Sequence, residues 1–332
     1  MFSKARVTER GAVLLGKHVA CDGFEEARSI RVVTHAHSDH LLGLRQSLMH
    51  CEKVVMTPAT KDLIDVMLGP LFLLMGDVKT LDYEELLKVD DETLTFHYAD
   101  HILGAAQTLV EDAEGTRILY TSDFRLRDTP VIETDVLVIE ATYGNPRRVR
   151  NFKSNLEDLF VSLVEAGLKK GPVYVFGYHG KLQETMQILH TAQVKVPFVM
   201  PEKVFHVSKI CERHGMRLGR ILLSSNDEGK KILQSRDPCV AFFHMGSKGR
   251  VGEDAFRICV SGWEFSTPYR EVGRNEYIIA LSDHSDFNGL LQYVKESKPK
   301  LVIADNYRVG DAEVLAKEIF SRLGIMAKAL PL

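Results

Sequence analysis

Cysteine is scarce. Cys21, Cys51, Cys211, Cys239 and Cys259 make an odd set of five in 332 residues, with no CxxC pair among them. This argues against a disulfide framework or a structural zinc ribbon and points to a reducing interior, so the cytoplasm is the expected setting. Excess charge is small, a formal −3. The chain is therefore no basic coat for nucleic acid, and any such surface must be a local patch. Long apolar runs are missing too. The greasiest stretch, Val66 to Met75, is too short to span a bilayer, and Met1 to Arg6 has no apolar core behind its charges, as a signal peptide would. No membrane partner is expected. A Walker loop and a GxGxxG fingerprint are both absent, so no nucleotide cofactor is indicated. What remains is an ordinary globular composition, 45% hydrophobic and 26% charged, in a length that predicts two domains.

Against that background one stretch stands out: Thr34-His35-Ala36-His37-Ser38-Asp39-His40. It follows the β-rich run Ile30 to Val33 and opens into Leu41-Leu42-Gly43-Leu44, which reads as the start of a helix. His35 and His37 lie two apart, so in an extended turn they point the same way. Asp39 and His40 follow, near helix N–H groups that favour anionic oxygens. One metal does not easily use all four from so tight a turn. Two metals do, one on His35 and His37 and the other on Asp39 and His40, and such a pair is suited to hydrolysis.

The chain before and after this turn reads as alternating elements. Val13 to Leu15 and Val19 to Cys21 form a hairpin leading to Asp22-Gly23. Val54 to Met56 is a strand, and Thr57-Pro58 starts a helix whose Leu63, Ile64, Met67 and Leu68 read as core. Thr93 to Tyr98 alternates like a strand and runs into His101, the next candidate ligand. Arg117 to Thr121 is a strand that ends at Ser122-Asp123. Asp135 to Glu140 is a buried strand that ends in Glu140-Ala141-Thr142-Tyr143-Gly144. Asn145 to Arg150 is a linker with a basic run, fit either for phosphates or for simple solvation.

About 160 residues separate Asp123 from His284, room for an inserted domain. Strands at 173–176, 197–200, 239–243 and 256–260, with helices from 181 and 202, predict a small parallel α/β domain there. Gly177 to Glu184 is a strand-to-helix turn whose Lys181 adds charge to a possible phosphate cradle; His179 in the same turn reads as substrate-side or structural. Ser261-Gly262-Trp263 carries the one tryptophan, fit to stack a base or to pack between domains. Glu276 to Leu281 then reads as a strand of the first domain, ending in Ser282-Asp283-His284-Ser285-Asp286.

His35-x-His37-x-Asp39-His40, then His101, Asp123, Glu140-Ala141-Thr142-Tyr143-Gly144 and Ser282 to Asp286 together resemble the metallo-β-lactamase superfamily in its β-CASP nuclease branch. Within it the chain is similar to ligase-associated DNA exonucleases and to archaeal mRNA 3′-end processing factor-like proteins. The resemblance implies an α/β fold, an αββα sandwich with an inserted small α/β domain. The expected boundaries are 1–145 and 266–332 for the sandwich and 146–265 for the insertion. It implies two Zn²⁺, with Mn²⁺ or Fe able to occupy the same shell. The metal ligands carried over are His35, His37, Asp39, His40, His101, Asp123 as the bridge, and His284. Asp39 would also orient the attacking water, with Asp22 and Glu140 supporting ligands from behind. A turn role for Asp22 and a cap or turn role for Glu140 fit the local sequence as well. Lys181, Ser282 and Trp263 are the substrate-side candidates.

The implied activity is a two-zinc phosphodiesterase, an exonuclease on single-stranded RNA or DNA, with a processing or repair assembly as its partner. A lactonase or thioesterase would share every ligand, but the long insertion favours the nuclease. A non-catalytic scaffold would normally lose ligands, and this chain keeps all seven. One departure stands: RNA-directed members place a His near the end of the strand at 301–307, where this chain has Asp305 and Asn306.

Overall fold

The computed structural model describes residues 4–152 and 155–332; Met1 to Ser3, part of the N-terminal stretch considered above, lie outside the described residues. The chain divides into two compact units, Met1–Val149 with His284–Leu332, and Arg150–Asp283.

The first unit is built on two sheets. One holds β1 (Ala5–Val7), β2 (Val13–Leu15), β3 (Val19–Cys21), β4 (Ile30–Val32), β5 (Lys53–Met56) and β6 (Val78–Thr80), in that spatial order. β1 to β3 form an antiparallel meander, and β3 to β6 run parallel. Parallel neighbours need crossovers, which α1 (Leu44–His50) and α2 (Pro58–Leu68) supply. Thr57 caps α2, its Oγ1 accepting from Thr60 N–H, with Pro58 at the first helical position. Leu63 and Ile64 are buried as their spacing predicts, whereas Leu68 at the helix end is 44% exposed.

The other sheet holds β7 (Leu86–Val89), β8 (Glu92–Tyr98), β9 (Ala106–Glu111), β10 (Arg117–Tyr120) and β11 (Val136–Ile139). After the insertion β19 (Leu301–Asp305) and β20 (Met326–Leu330) extend it beyond β11. Alternate residues of both sheets point inward and share one core: Val13, Leu15, Val19, Ile30 and Val32 from the first, and Phe96, Val110, Ile118, Val136, Val138 and Ile303 from the second. This is the period-two pattern of strands packed face to face. Outside lie α1 against β5, and α8 (Ala312–Leu323) against β19 and β20, with α7 (Phe287–Ser297) beside α8. The layers are therefore helix, sheet, sheet, helix. Phe287 N–H donates to Arg148 O (3.1 Å), so the two ends of the insertion lie side by side.

The second unit is one twisted sheet. Its strands are β12 (Val173–Gly177), β13 (Phe198–Met200), β14 (Ile221–Leu223), β15 (Val240–His244), β16 (Phe256–Val260), β17 (Tyr269–Gly273) and β18 (Glu276–Ile279). The spatial order is β14-β13-β15-β12-β16-β18-β17, all parallel except the β17–β18 pair. The helices α3 (Leu156–Leu168), α4 (Lys181–Thr191), α5 (Glu202–Arg213) and α6 (Asp227–Ser235) pack against it. A boundary at residue 266 would have put the strand from Glu276 in the first unit. Instead β18 pairs with β16, anchored by Arg257 Nη2 to Glu276 Oε2 at 2.6 Å.

Candidate metal centre

β4 delivers the chain into His35-Ala36-His37, and His37 keeps an extended backbone (φ −74°, ψ 148°) before a single 3-10 turn, Ser38–His40. The helix expected from Leu41 begins at Leu44, because Gly43 takes φ +65°. A Cβ there would sit 2.7 Å from Phe24 Cβ, so glycine is required. Asp39 and His40 thus occupy their own turn rather than the first turn of a helix.

Three of the partners come from strand ends of the second sheet, and the fourth from the segment that follows the insertion. His101 follows β8, Asp123 follows β10, Glu140 follows β11, and His284 lies just before α7. His37 Nδ1 lies 3.2 Å from His35 Nε2 and 3.0 Å from His101 Nε2. Asp123 Oδ2 is 3.8 Å from each of His35 Nε2 and His101 Nε2. Four ligands about 2.1 Å from one tetrahedral ion are about 3.4 Å from one another. The observed separations bracket that edge, and the imidazole and carboxylate donors suit such an ion. This cluster is able to bind metal.

Asp123 continues the site outward. Its Oδ2 lies 3.2 Å from His40 Nε2, which in turn lies 3.5 Å from Asp39 Oδ2. His40 Nε2 is a buried nitrogen without a hydrogen bond, a costly state unless another group takes it. The His284 ring stands 4.8 Å from that of His101, and its Nδ1 is 2.9 Å from Glu140 Oε2. Asp123, Glu140 and His284 form a second potential ligand group. Asp39 is the exposed acid of the site, with 58% of its side chain accessible.

Burial and charge set the protonation. Burial, reinforced by the neighbouring His40, His101 and His37, drives His35 well below its ordinary pKa. For His40, burial and Arg308 oppose the charge, but Asp123 and Asp22 prevail and raise it to about 9. Burial would raise Asp22 and Asp123; the His40 ring overrides it and holds both low. Glu140 goes up, because its burial outweighs the pull of His284.

Behind the donors stands a shell of fixed partners. Asp22 Oδ2 is 2.7 Å from His40 Nδ1, and its carboxylate accepts from Thr34 N–H (2.9 Å) and Thr34 Oγ1 (2.7 Å). Ser122 Oγ donates to Thr34 Oγ1 (2.7 Å). Asp22 and Ser122 both adopt left-handed backbone, φ 56° and 55°, as residues at strained functional turns do. Glu140 Oε1 accepts from Phe124 N–H (2.8 Å). Beside His101, Arg125 grips Asp100 through two bonds, of 2.8 and 2.9 Å. At the end of β19, Asp305 Oδ2 takes Arg308 Nη1 at 2.6 Å, and Arg308 Nη2 approaches the carbonyls of Gly11 and Asp22 at 3.4 Å. Asn306 Nδ2 donates to Pro331 O.

Thr34, Ser122 and Arg308 escaped the sequence reading. Thr34 adjoins the motif, but nothing local marks Arg308. Lys181, Ser282 and Trp263 belong to the second unit. Lys181 is buried, its Nζ 3.2 Å from Asp283 Oδ1 and 3.4 Å from Glu184 Oε2; Ser282 is half-buried, and Trp263 is 48% exposed. In the same unit the rings of His179 and His244 lie 5.5 Å apart. His97, read as an ordinary strand histidine, meets Glu84 Oε1 at 2.7 Å. Among the described residues no helix is long and apolar enough to cross a membrane.

No protein-family model matches the chain. An uncharacterized protein "in lig 3′ region" of Acidianus ambivalens is 37% identical over 138 residues, 41% of this chain and 99% of that protein. An RNase J-like protein of Methanocaldococcus jannaschii is 27% identical over 215 residues, 55% of this chain and 50% of that protein. The chain spans 27% to 61% of the length of the longer curated relatives it matches. In fold it is similar to a crystal structure of a protein of unknown function from Enterococcus faecalis, at a TM-score of 0.59 and 14% identity, over 84% of this chain and 75% of that one.

Proposed function

We propose a phosphodiesterase acting on single-stranded nucleic acid, from the premise that this chain belongs to the β-CASP branch of the metallo-β-lactamase superfamily. The observation that carries the reading is the convergence of His35, His37, His101 and Asp123, with buried His40 Nε2 beside them. In this reading His35, His37, His101 and Asp123 hold one zinc, and Asp39, His40, Asp123 and His284 hold another. Ions held there supply Lewis-acid stabilisation of the phosphate oxygens and a lowered pKa for the attacking water.

The chain's own groups do the rest. Asp22 receives the Nδ1 proton of His40 and so turns Nε2 toward the donors, and Glu140 does the same for His284. Asp39, the exposed acid, orients the attacking water. In the second unit the half-exposed Trp263 stacks a base, Ser282 donates to a phosphate, and Lys181 steadies Asp283. With Asp305 engaged by Arg308, no histidine at that strand end assists the leaving group. We assign an exonuclease mode, within a processing or repair assembly, on the resemblance set out above and on the relative described as lying beside lig. Five free cysteines suit a reducing cytoplasm.

The test is cleavage of 5′-labelled single-stranded RNA and DNA of one sequence by the zinc-loaded protein. Asp39→Ala and His284→Ala serve as controls, each expected to lose about a hundredfold or more in rate while keeping the fold. Full activity in either variant with metal bound refutes the ligand assignment. No cleavage of either strand by zinc-loaded wild type refutes the nuclease.

A further inference from the structure

The second unit carries a cavity that the hydrolytic reading does not use. It has a volume of about 680 Å³, within the range of small-ligand sites. Its origin lies in the topology. A parallel crossover normally lays a helix over the sheet, but the connection from β15 to β16 contains only the 3-10 turn Met245–Arg250. Tyr174 and Phe243 therefore remain half-buried on the sheet. Both line the cavity. Their rings are inclined by 28° with centroids 6.2 Å apart.

Three cations line the same cavity: Lys170, Arg236 and Arg250. Both arginines are exposed, and among the described residues neither makes an ion pair or a side-chain hydrogen bond. Asp254, the lining acid, already faces Arg274 at 3.8 Å. Arg236 ends α6 in left-handed backbone, φ 58°, a position that ordinarily falls to glycine or asparagine. The turn itself reads Gly246-Ser247-Lys248-Gly249-Arg250-Val251-Gly252. A Cβ on Gly249 or Gly252 would meet nothing within 4 Å, so the backbone there is open. An aromatic floor, two unpaired arginines and an open glycine-rich turn are what a base joined to a phosphate requires.

We infer that this cavity binds a nucleotide, its base against Tyr174 and Phe243 and its phosphate between Arg236, Arg250 and the Gly246–Gly252 turn. The ligand is either a free mononucleotide or the terminal nucleotide of a strand; the chemistry is shared.

Calorimetric titration of the full zinc-loaded Asp39→Ala chain, which keeps the fold but does not cut the strand, tests this with AMP, adenosine and 5′-phosphorylated or 5′-hydroxyl oligo(dT). AMP should bind with a Kd below about 1 mM, and adenosine more weakly. Arg236→Ser with Arg250→Ser should weaken AMP about tenfold or more. Tyr174→Leu should weaken it too, while Tyr174→Phe, which keeps the ring, should not. Unchanged melting temperatures establish that the variants fold. If the 5′-phosphorylated oligonucleotide binds more tightly than AMP and loses affinity in the same variants, the strand end is the ligand. If AMP binds more tightly, the free nucleotide is. The inference is overturned if neither binds, or if affinity is the same in the double-arginine variant and in Tyr174→Leu.

Discussion

At the scale of single residues, the candidate metal centre is held from behind by fixed partners. Asp22 is fully buried and spends its carboxylate on His40 and Thr34. Asp22→Asn preserves the volume but cannot accept the His40 proton in the same way. It should lower metal affinity about tenfold to a hundredfold, read as metal retained per chain in dialysis against graded chelator. Unaltered retention would remove Asp22 from the centre. Arg308 is a second case: its side chain is 9% exposed and bonded to Asp305, itself 2% exposed. Arg308→Met leaves that carboxylate buried and unpaired and should cost about 3 kcal/mol in urea unfolding. Asp305→Asn combined with Arg308→Met should recover part of the loss; no recovery would show that the pair is not its source. The convergence of His35, His37, His101 and Asp123 was legible in the sequence, because histidines and aspartates at strand ends are rare and ordered. Ser122 and Thr34 were not: their hydroxyls meet across 88 residues, and a hydroxyl gives no local sign of such a partner.

At the scale of elements, the seams between strands decide the structure. Asp135 opens β11, where its Oδ2 accepts from Arg117 N–H (3.0 Å) and its Oδ1 pairs with Lys300 Nζ (2.6 Å) ahead of β19. The bond from Lys300, then that from Arg117, lowers its pKa. A lowered carboxylate stabilises the fold above its unfolded pKa and stops doing so as pH falls through the folded value. Asp135→Asn should therefore cost about 1 kcal/mol at neutral pH, and the gap to wild type should close below about pH 4. A gap that persists at pH 2 would assign the effect to packing. Most strands were legible from alternation or from apolar runs, as for β8 and β11. β17 was not, because every one of its residues is exposed and shows no alternation. The membership of β18 was misread for a related reason. An apolar strand does not announce its sheet, and here the Arg257–Glu276 ion pair and register with β16 decide it.

At the scale of the whole molecule, the first unit owns its core. All the residues of the shared inter-sheet cluster lie outside the insertion, and the insertion's two ends are joined by the Arg148–Phe287 bond. Replacing residues 150–283 by a short Gly/Ser linker should leave a protein that melts cooperatively and still binds metal, but lacks the strand cleavage proposed for the full chain. A shortened chain that fails to fold would mean that the first unit depends on the second. The same layout fixes an order of assembly during synthesis. β11 emerges early, yet its outer neighbour β19 follows only after the whole second unit has been made. Until then β11 is a bare sheet edge, the kind that recruits other chains. The intervening unit is complete in sequence before β19 is made, so it can fold as a unit before the first unit closes. Once folded it shortens the effective loop that must close to bring β19 home, so its folding speed sets how long the nascent first unit stays open to mispairing.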